Sequence, residues 1–345
     1  MIATPYLLYL GHSNDEIGIK TSRGLAVFRP DICVGEFRHD DCRLTLNLPR
    51  LDFAAAYREG ARTLILGIAN AGGTLGEDLV EDALAAMTAG LNIASGLHHR
   101  LKDEPRLVEA AAQLGRRLHD VRDPRPDIPV GNGKRRAGKR LLTVGTDCSV
   151  GKMYATLCLA NAMHARGVLA DFRATGQTGI LIAGDGVPLD AVVADFIAGA
   201  IEQLSPERFD GGWDLIEGQG SLFHPSFAGV STGLLHGAQP DALVLCHDPL
   251  RRHMRGVPHF APPGLRECLE ANLRVARLTN PDVQAVGVAL NTAAMTEADA
   301  QALCARTSDA LGLPCTDPYR MGVEPILDRL LGTELSRRAP VAELN

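Results

Sequence analysis

One stretch limits what this chain can become: Arg140-Leu-Leu-Thr-Val-Gly-Thr-Asp-Cys-Ser-Val-Gly-Lys-Met-Tyr-Ala-Thr156, an apolar run that enters a glycine-framed loop ending in Gly151-Lys152. A strand feeding such a loop into a helix aims several backbone N–H groups at one point and adds the positive end of the helix dipole, so the loop binds phosphate. Lys152 completes the cradle. The next residue is Met153, where a P-loop ordinarily carries the Ser or Thr hydroxyl that ligates Mg²⁺. The stretch therefore implies a phosphate site and argues against ordinary ATP hydrolysis.

At 345 residues the chain exceeds one ordinary core and fits two domains. Hydrophobic residues make up 46%, charged residues 22% and aromatics only 4%, the composition of an Ala/Leu/Val/Gly-rich α/β protein and not of a disordered or membrane chain. A net charge of -6 argues against a general nucleic-acid binder. The eight cysteines are widely spaced with no C-x-x-C pair, so neither a zinc site nor a disulfide framework is signalled. The N-terminus lacks the basic and apolar regions of a secretory signal, and no segment approaches the roughly 18 uninterrupted apolar residues of a membrane span. The cytoplasm is the expected compartment, with no membrane or nucleic-acid partner.

The expected organisation is a domain over residues 1–125, a linker at 126–140, a second domain over 141–331 and a tail at 332–345. In the first domain, apolar runs at Tyr6 to Leu10, Thr63 to Ile68 and Leu91 to Ala94 read as parallel strands. The helix from Glu77 to Ala89 carries Leu79, Val80, Ala83, Leu84 and Met87 on one face. Gly72 and Gly73 read first as turn glycines and second as a ligand approach. His98 and His99 face different ways on any regular element, so capping or core contacts suit them better than a metal. Prolines, glycines and basic residues between Val121 and Arg140 mark the linker.

In the second domain, strands are expected at Leu141 to Val144, Leu169 to Arg173, Trp213 to Glu217, Ala242 to His247 and Val283 to Leu290. Helices are expected at Met153 to Arg166, Leu189 to Gln203, Gly264 to Arg277 and Glu297 to Leu311.

The loop Gly145-Thr146-Asp147-Cys148-Ser149-Val150-Gly151-Lys152 resembles the Gly-Thr-Asp-(two residues)-Val-Gly-Lys loop of dethiobiotin synthetases and their P-loop relatives. Trp213-Asp-Leu-Ile-Glu-Gly-Gln-Gly220 resembles their Walker B strand. That likeness implies a contact of Asn291 with a nucleotide base. Across nearly its whole length the chain looks like a narrower family. The runs Gly96-Leu-His-His99, Arg173-Ala-Thr-Gly-Gln-Thr-Gly179, Asp195-Phe-Ile-Ala-Gly-Ala-Ile-Glu202, Glu217-Gly-Gln-Gly-Ser-Leu-Phe-His-Pro225 and Leu234-Leu-His-Gly-Ala-Gln-Pro-Asp241 resemble the DgcN-like proteins. The resemblance implies a Rossmann-like N-terminal domain followed by a three-layer α/β/α P-loop domain. It also implies N-acetylation of D-glutamate from acetyl-CoA. Gly176 and Gln177 are expected with Arg173 in the substrate site.

Acetyl transfer to an amine needs a deprotonated amine, a thioester within attack distance and donors for the charge that develops on the carbonyl oxygen. It requires no metal. A P-loop without its Mg²⁺ hydroxyl could hold the pyrophosphate or 3′-phosphate of coenzyme A, with Gly145, Thr146, Cys148 to Gly151, Lys152 and Met153 as its residues.

Glu217 is the first choice of general base, since burial at a strand end would raise its pKa toward neutrality; an equal reading is a carboxylate bonded to the P-loop backbone. His224 is the second choice. A phosphate would repel Asp147, so a substrate ammonium is its expected partner. Arg173 would bind a substrate carboxylate bidentately or form a salt bridge. An acyl intermediate on Cys148 is a minor option, since the sequence sets no His beside it. Arg251, Arg252 and Arg255 either clamp a phosphate or acidic substrate or form a solvated loop.

The sequence thus favours an acetyl-CoA-dependent N-acetyltransferase of a small amino acid, with a homo-oligomer compatible. The alternatives are an ATP/Mg²⁺-dependent ligase or kinase-like enzyme related to dethiobiotin synthetase and a non-catalytic nucleotide-binding regulator. Met153 counts against the ligase, having no oxygen for Mg²⁺.

Overall fold

Parallel strands covered on both faces need almost unbroken apolar sequence, and the runs above supply it. A computed structural model describes residues 2–16, 18–68 and 75–332. The loop at Gly72 and Gly73 and the tail beyond Gly332 lie outside the described residues. The chain forms two compact units, one of residues 1–124 with 177–188 and one of residues 125–176 with 189–345.

The first unit begins β1 (Tyr6–Gly11), α1 (Lys20–Phe28), β2 (Cys33–Arg38), α2 (Phe53–Arg58) and β3 (Thr63–Leu66). It continues α3 (Glu77–Thr88), β4 (Asn92–Ser95), α4 (Pro105–Leu114) and β5 (Leu118–Asp120). Its sheet is parallel, in the order β2-β1-β3-β4-β5. The expected face of α3 is the buried one: Leu79, Val80, Ala83 and Met87 pack with Leu7, Leu64 and Ile93. Local chemistry sets the ends. Asp52 accepts from the Ala55 N–H to start α2, and α4 opens on Pro105 and closes at Gly115 with φ 63°.

The remaining chain runs β6 (Lys139–Gly145), α5 (Lys152–Ala165), β7 (Ala170–Arg173) and α6 (Gln177–Ala183), of which α6 belongs to the first unit. Then follow α7 (Ile197–Leu204), β8 (Trp213–Ile216), α8 (Ala228–Ala238), β9 (Ala242–His247) and α9 (Leu265–Ala276). The last elements are β10 (Gln284–Leu290), α10 (Glu297–Leu311), β11 (Cys315–Thr316) and α11 (Glu324–Gly332). The second sheet is also parallel, ordered β11-β10-β9-β6-β8-β7, so the phosphate-loop strand β6 lies inside it.

Alternation along each strand divides the core. Leu141, Leu215, Val244 and Val286 meet Leu159 and Met163 of α5 and Ile326, Leu327 and Leu330 of α11. Leu142 turns the other way and lines a small cavity with Leu234 and Leu235 of α8.

The expected helix from Leu189 to Gln203 is instead two 3-10 turns, Leu189–Ala191 and Ala194–Phe196, followed by α7. The β-branched pair Val192-Val193 interrupts it, Val193 being extended. Residues 126–140 are not a free tether in this fold. Glu202 of α7 accepts hydrogen bonds from the backbone N–H groups of Asn132 and Gly133, and β6 starts at Lys139. Among the described residues no helix is long and apolar enough to cross a membrane.

Asp214, fully buried on β8, ties this strand to the end of β7 and, through Ser205, to the start of β6. Its Oδ1 accepts from Arg173 Nε at 3.0 Å and Arg208 Nη1 at 2.8 Å, and its Oδ2 accepts from Ser205 Oγ at 2.6 Å. Ser205 in turn accepts from the buried Arg140 at 2.9 Å. Asp214→Ala should destabilise the fold by roughly 3–5 kcal/mol, because it strands desolvated guanidinium groups. Urea denaturation followed by far-UV circular dichroism measures this, and a loss below about 1 kcal/mol would contradict it.

Candidate functional site

The site is built at the carboxyl ends of β6, β8 and β9, where open α/β sheets bind ligands. β6 delivers the loop from Gly145 to Lys152. Ser149 at φ 54° and Gly151 at φ 100° give the loop its concave turn, and Gly151, the N-cap of α5, offers no side-chain cap. The first N–H groups of the helix therefore have no capping side chain. Val150 is buried and fixes the loop to the core.

Lys152 runs inward. Its ammonium donates to Asp147 O at 2.8 Å and to Gly220 O at 2.9 Å, joining the phosphate loop to the segment after β8. Burial lowers its pKa. Thr146 donates its N–H to Cys246 O, and its hydroxyl shares a hydrogen bond with His247 Nδ1 at 2.9 Å. Met153 occupies the position after the lysine, and Asn291 stands at the end of β10, its Cβ 3.8 Å from where a side chain on Gly151 would begin.

Glu217 follows β8 directly and is buried. Its Oε2 accepts from the N–H groups of Thr175 at 3.0 Å and Gly176 at 3.1 Å, and its backbone carbonyl accepts from Thr175 Oγ1 at 2.7 Å. Burial outweighs these donors and the nearby Lys152, and it pushes the carboxyl up to about 7. Both bonded donors use Oε2; no described residue donates to Oε1. Gly218 must lack a side chain, because a Cβ there would lie 1.8 Å from Thr143 O.

The other expected site residues divide. Asp147 meets no opening for a substrate ammonium: it is fully buried, Oδ1 accepts from Cys148 N at 2.6 Å, and Oδ2 accepts from Arg251 Nη1 and the Arg255 N–H, each at 2.8 Å. Arg173 spends its guanidinium on Asp214, with a longer contact to Asp171, so the ion-pair role holds in place of carboxylate recognition. Gly176 lies beside Glu217. Gln177 starts α6 in the first unit, next to Gly96, with its Oε1 buried and unpartnered among the described residues.

His224 is not free to act as a base. Its Nδ1 accepts from the Ser226 N–H at 3.1 Å, and its Nε2 lies 2.9 Å from Arg255 O, which can only accept. These bonds place the ring proton on Nε2. Asp147, Cys148 and His224 do bring a carboxylate, a thiol and an imidazole within 4.8 Å of one another. With both ring nitrogens committed, His224 has no lone pair to activate Cys148 or to bind a cation. Arg251 and Arg255 are neither ligand clamps nor simply solvated. Arg251 also donates to Cys148 O and Ser149 O, and Arg255 bonds Ser149 Oγ, so the pair braces the phosphate loop. Gln219, which the sequence reading left without a role, sits half-buried two residues from Glu217. That spacing on the continuation of a strand was the available signal.

Fold and site together define a two-unit α/β protein with a Rossmann-like first unit and a P-loop-type second unit. Residues 38–124 match the Rossmann-like domain of unknown function DUF1611_N, and residues 129–327 match the P-loop domain DUF1611_C. The chain is 49% identical over 330 residues to a protein of Tritonibacter scottomollicae named D-glutamate N-acetyltransferase, covering 96% of this chain and 99% of that relative. A protein of the same name from Pseudoalteromonas sp is 48% identical over 329 residues, covering 95% and 99%. The crystal structure of a DUF1611 family protein from Anabaena variabilis has a TM-score of 0.87 at 34% identity and covers 96% of this chain and 100% of that one. The chain belongs to the DUF1611 family.

A carboxyl raised from 4.5 to about 7 holds its proton more tightly folded than unfolded, so it weakens the fold as pH rises through that window and by the full amount above it. Glu217→Gln keeps acceptors for Thr175 and Gly176 without the charge. The variant should gain about 3 kcal/mol relative to wild type at pH 8 and nothing at pH 4. Denaturant melts at the two pH values check this, and equal differences at both would contradict it.

Proposed function

We propose that this protein transfers the acetyl group of acetyl-CoA to the amine of D-glutamate, giving N-acetyl-D-glutamate. The observation that carries the reading is Glu217, a buried carboxyl poised near pH 7 beside a phosphate loop whose lysine is followed by Met153. The names of the two relatives matching almost the whole chain support the same activity.

In this reading the N-terminus of α5 and Lys152 hold a phosphate of coenzyme A. Glu217 Oε1 takes a proton from the substrate ammonium, an accessible transfer because base and operating pH are matched. Low water access around Glu217 strengthens each charge–dipole interaction as the amine attacks. Met153 offers no oxygen to Mg²⁺, which favours this reading over phosphoryl transfer.

Incubation with acetyl-CoA and a panel of D- and L-amino acids, followed by titration of free thiol, tests the proposal against a parallel ATP/Mg²⁺ arm. Thiol release dependent on D-glutamate is expected; nucleotide turnover without it would sink the reading. The rate should rise with pH through about 7 as Glu217 deprotonates, and Glu217→Gln should lower kcat by roughly 10²–10⁴-fold and abolish that limb. Lys152→Ala should weaken coenzyme A binding about tenfold or more by calorimetry. An unchanged affinity would mean that the loop holds something else.

A further inference from the structure

The segment from Glu217 to Gly220 is pinned at every residue. Thr175 Oγ1 donates to Glu217 O at 2.7 Å, the Gly218 N–H donates to Thr143 Oγ1 at 3.0 Å, Ser231 Oγ donates to Gln219 O at 2.8 Å, and Gly220 O accepts from Lys152. A backbone held this firmly fixes the directions of its two side chains, Glu217 and Gln219. Both converge over Gly176. The point where a Cβ on Gly176 would stand is 2.5 Å from Gln219 Nε2 and 3.2 Å from Glu217 Oε1.

The carboxylate has a use already, but the amide does not: among the described residues nothing hydrogen-bonds the Gln219 side chain, and it is only half-buried. A half-buried amide with open donors beside the Glu217 carboxylate is the pairing that acyl transfer needs.

We propose that Gln219 is the oxyanion donor of this site, an inference that rests on the acetyl-transfer reading. The amine nitrogen bonds to the thioester carbonyl carbon while the carbonyl π electrons move onto oxygen, where Gln219 Nε2–H receives the charge. Glu217 Oε1 accepts the proton from nitrogen. When the carbonyl reforms, the C–S bond breaks, and the coenzyme A thiolate leaves with the electron pair and takes the proton held by Glu217, which restores the base. Gly176 is the third part of the device, since any side chain there would displace the amide. Its φ lies outside the left-handed region, so alanine is compatible with the backbone.

Steady-state kinetics of wild type, Gln219→Leu and Gly176→Ala with acetyl-CoA and D-glutamate, each with its pH profile and melting curve, test this. Loss of one oxyanion donor should lower kcat roughly 100-fold in both variants. KM for acetyl-CoA should stay within about threefold, and the limb near pH 7 should persist because Glu217 is intact. Gly176→Ala keeps the amide and moves it, so it decides the matter even if Gln219→Leu folds poorly. A kcat close to wild type in either folded variant, or a raised KM for the amino acid with kcat unchanged, overturns the oxyanion role and leaves acetyl transfer standing. A wild-type protein that transfers no acetyl group overturns both.

Discussion

The site depends on a buried ammonium. Lys152 reaches from the first turn of α5 to the carbonyls of Asp147 and Gly220, so one side chain closes the phosphate loop on itself and binds it to the segment after β8. Removing a lysine from water is costly, as its lowered pKa records, and two carbonyl bonds return only part of that cost. Nearby acidic groups, Asp147 ahead of Glu217, also oppose the burial by favouring the protonated lysine. The loop is therefore held closed by a group that is itself held in place by the residues it joins. An arriving phosphate would supply the full counter-charge that these dipoles do not.

The same burial acts on Glu217 in the opposite sense. Two backbone N–H groups and a nearby ammonium all favour the carboxylate, yet desolvation wins and the group titrates near neutrality. Such a balance responds to whatever enters. A bound anion would raise the carboxyl further, while a substrate ammonium at Oε1 would lower it and draw the proton off. In the proposed reading, an anion in the loop and an ammonium at Oε1 would act on Glu217 in opposite senses through one shared electrostatic field.

Much of the architecture could be read from the chain, because buried parallel strands and long amphipathic helices leave strong local patterns. β9 and α10 have the bounds expected of Ala242 to His247 and Glu297 to Leu311. Helix α8 left no such trace. Its glycines at 229, 233 and 237 weaken the helical pattern, yet a Cβ at Gly237 would lie 2.4 Å from Ala198 O and one at Gly233 2.6 Å from Ile197 Cγ2, so these two mark a close approach of α7. Within the site, the buried positions of Glu217 and Lys152 were legible because each stands at the end of the element that carries it. Arg173 and His224 were not: their partners, Asp214 and the Arg255 carbonyl, lie 41 and 31 residues away and come together only through the sheet and the loop after β9.

Asp147 shows what such long-range contacts accomplish. An acidic residue inside an anion-binding loop should oppose its ligand, and sequence reasoning resolved the conflict by giving the carboxylate a cationic substrate. The fold resolves it by supplying the cation from its own chain. Arg251 neutralises the carboxylate at 2.8 Å, the Arg255 N–H adds a second donor at 2.8 Å, and the Arg255 side chain continues to Ser149. The buried charge is then an anchor, since its cost is met only when the loop after β9 is in register with the loop after β6. His224, bonded to the Arg255 carbonyl, extends that register to the loop after β8. Three strand ends are thereby locked around one carboxylate, and no side chain is drawn to the N–H groups at the start of α5.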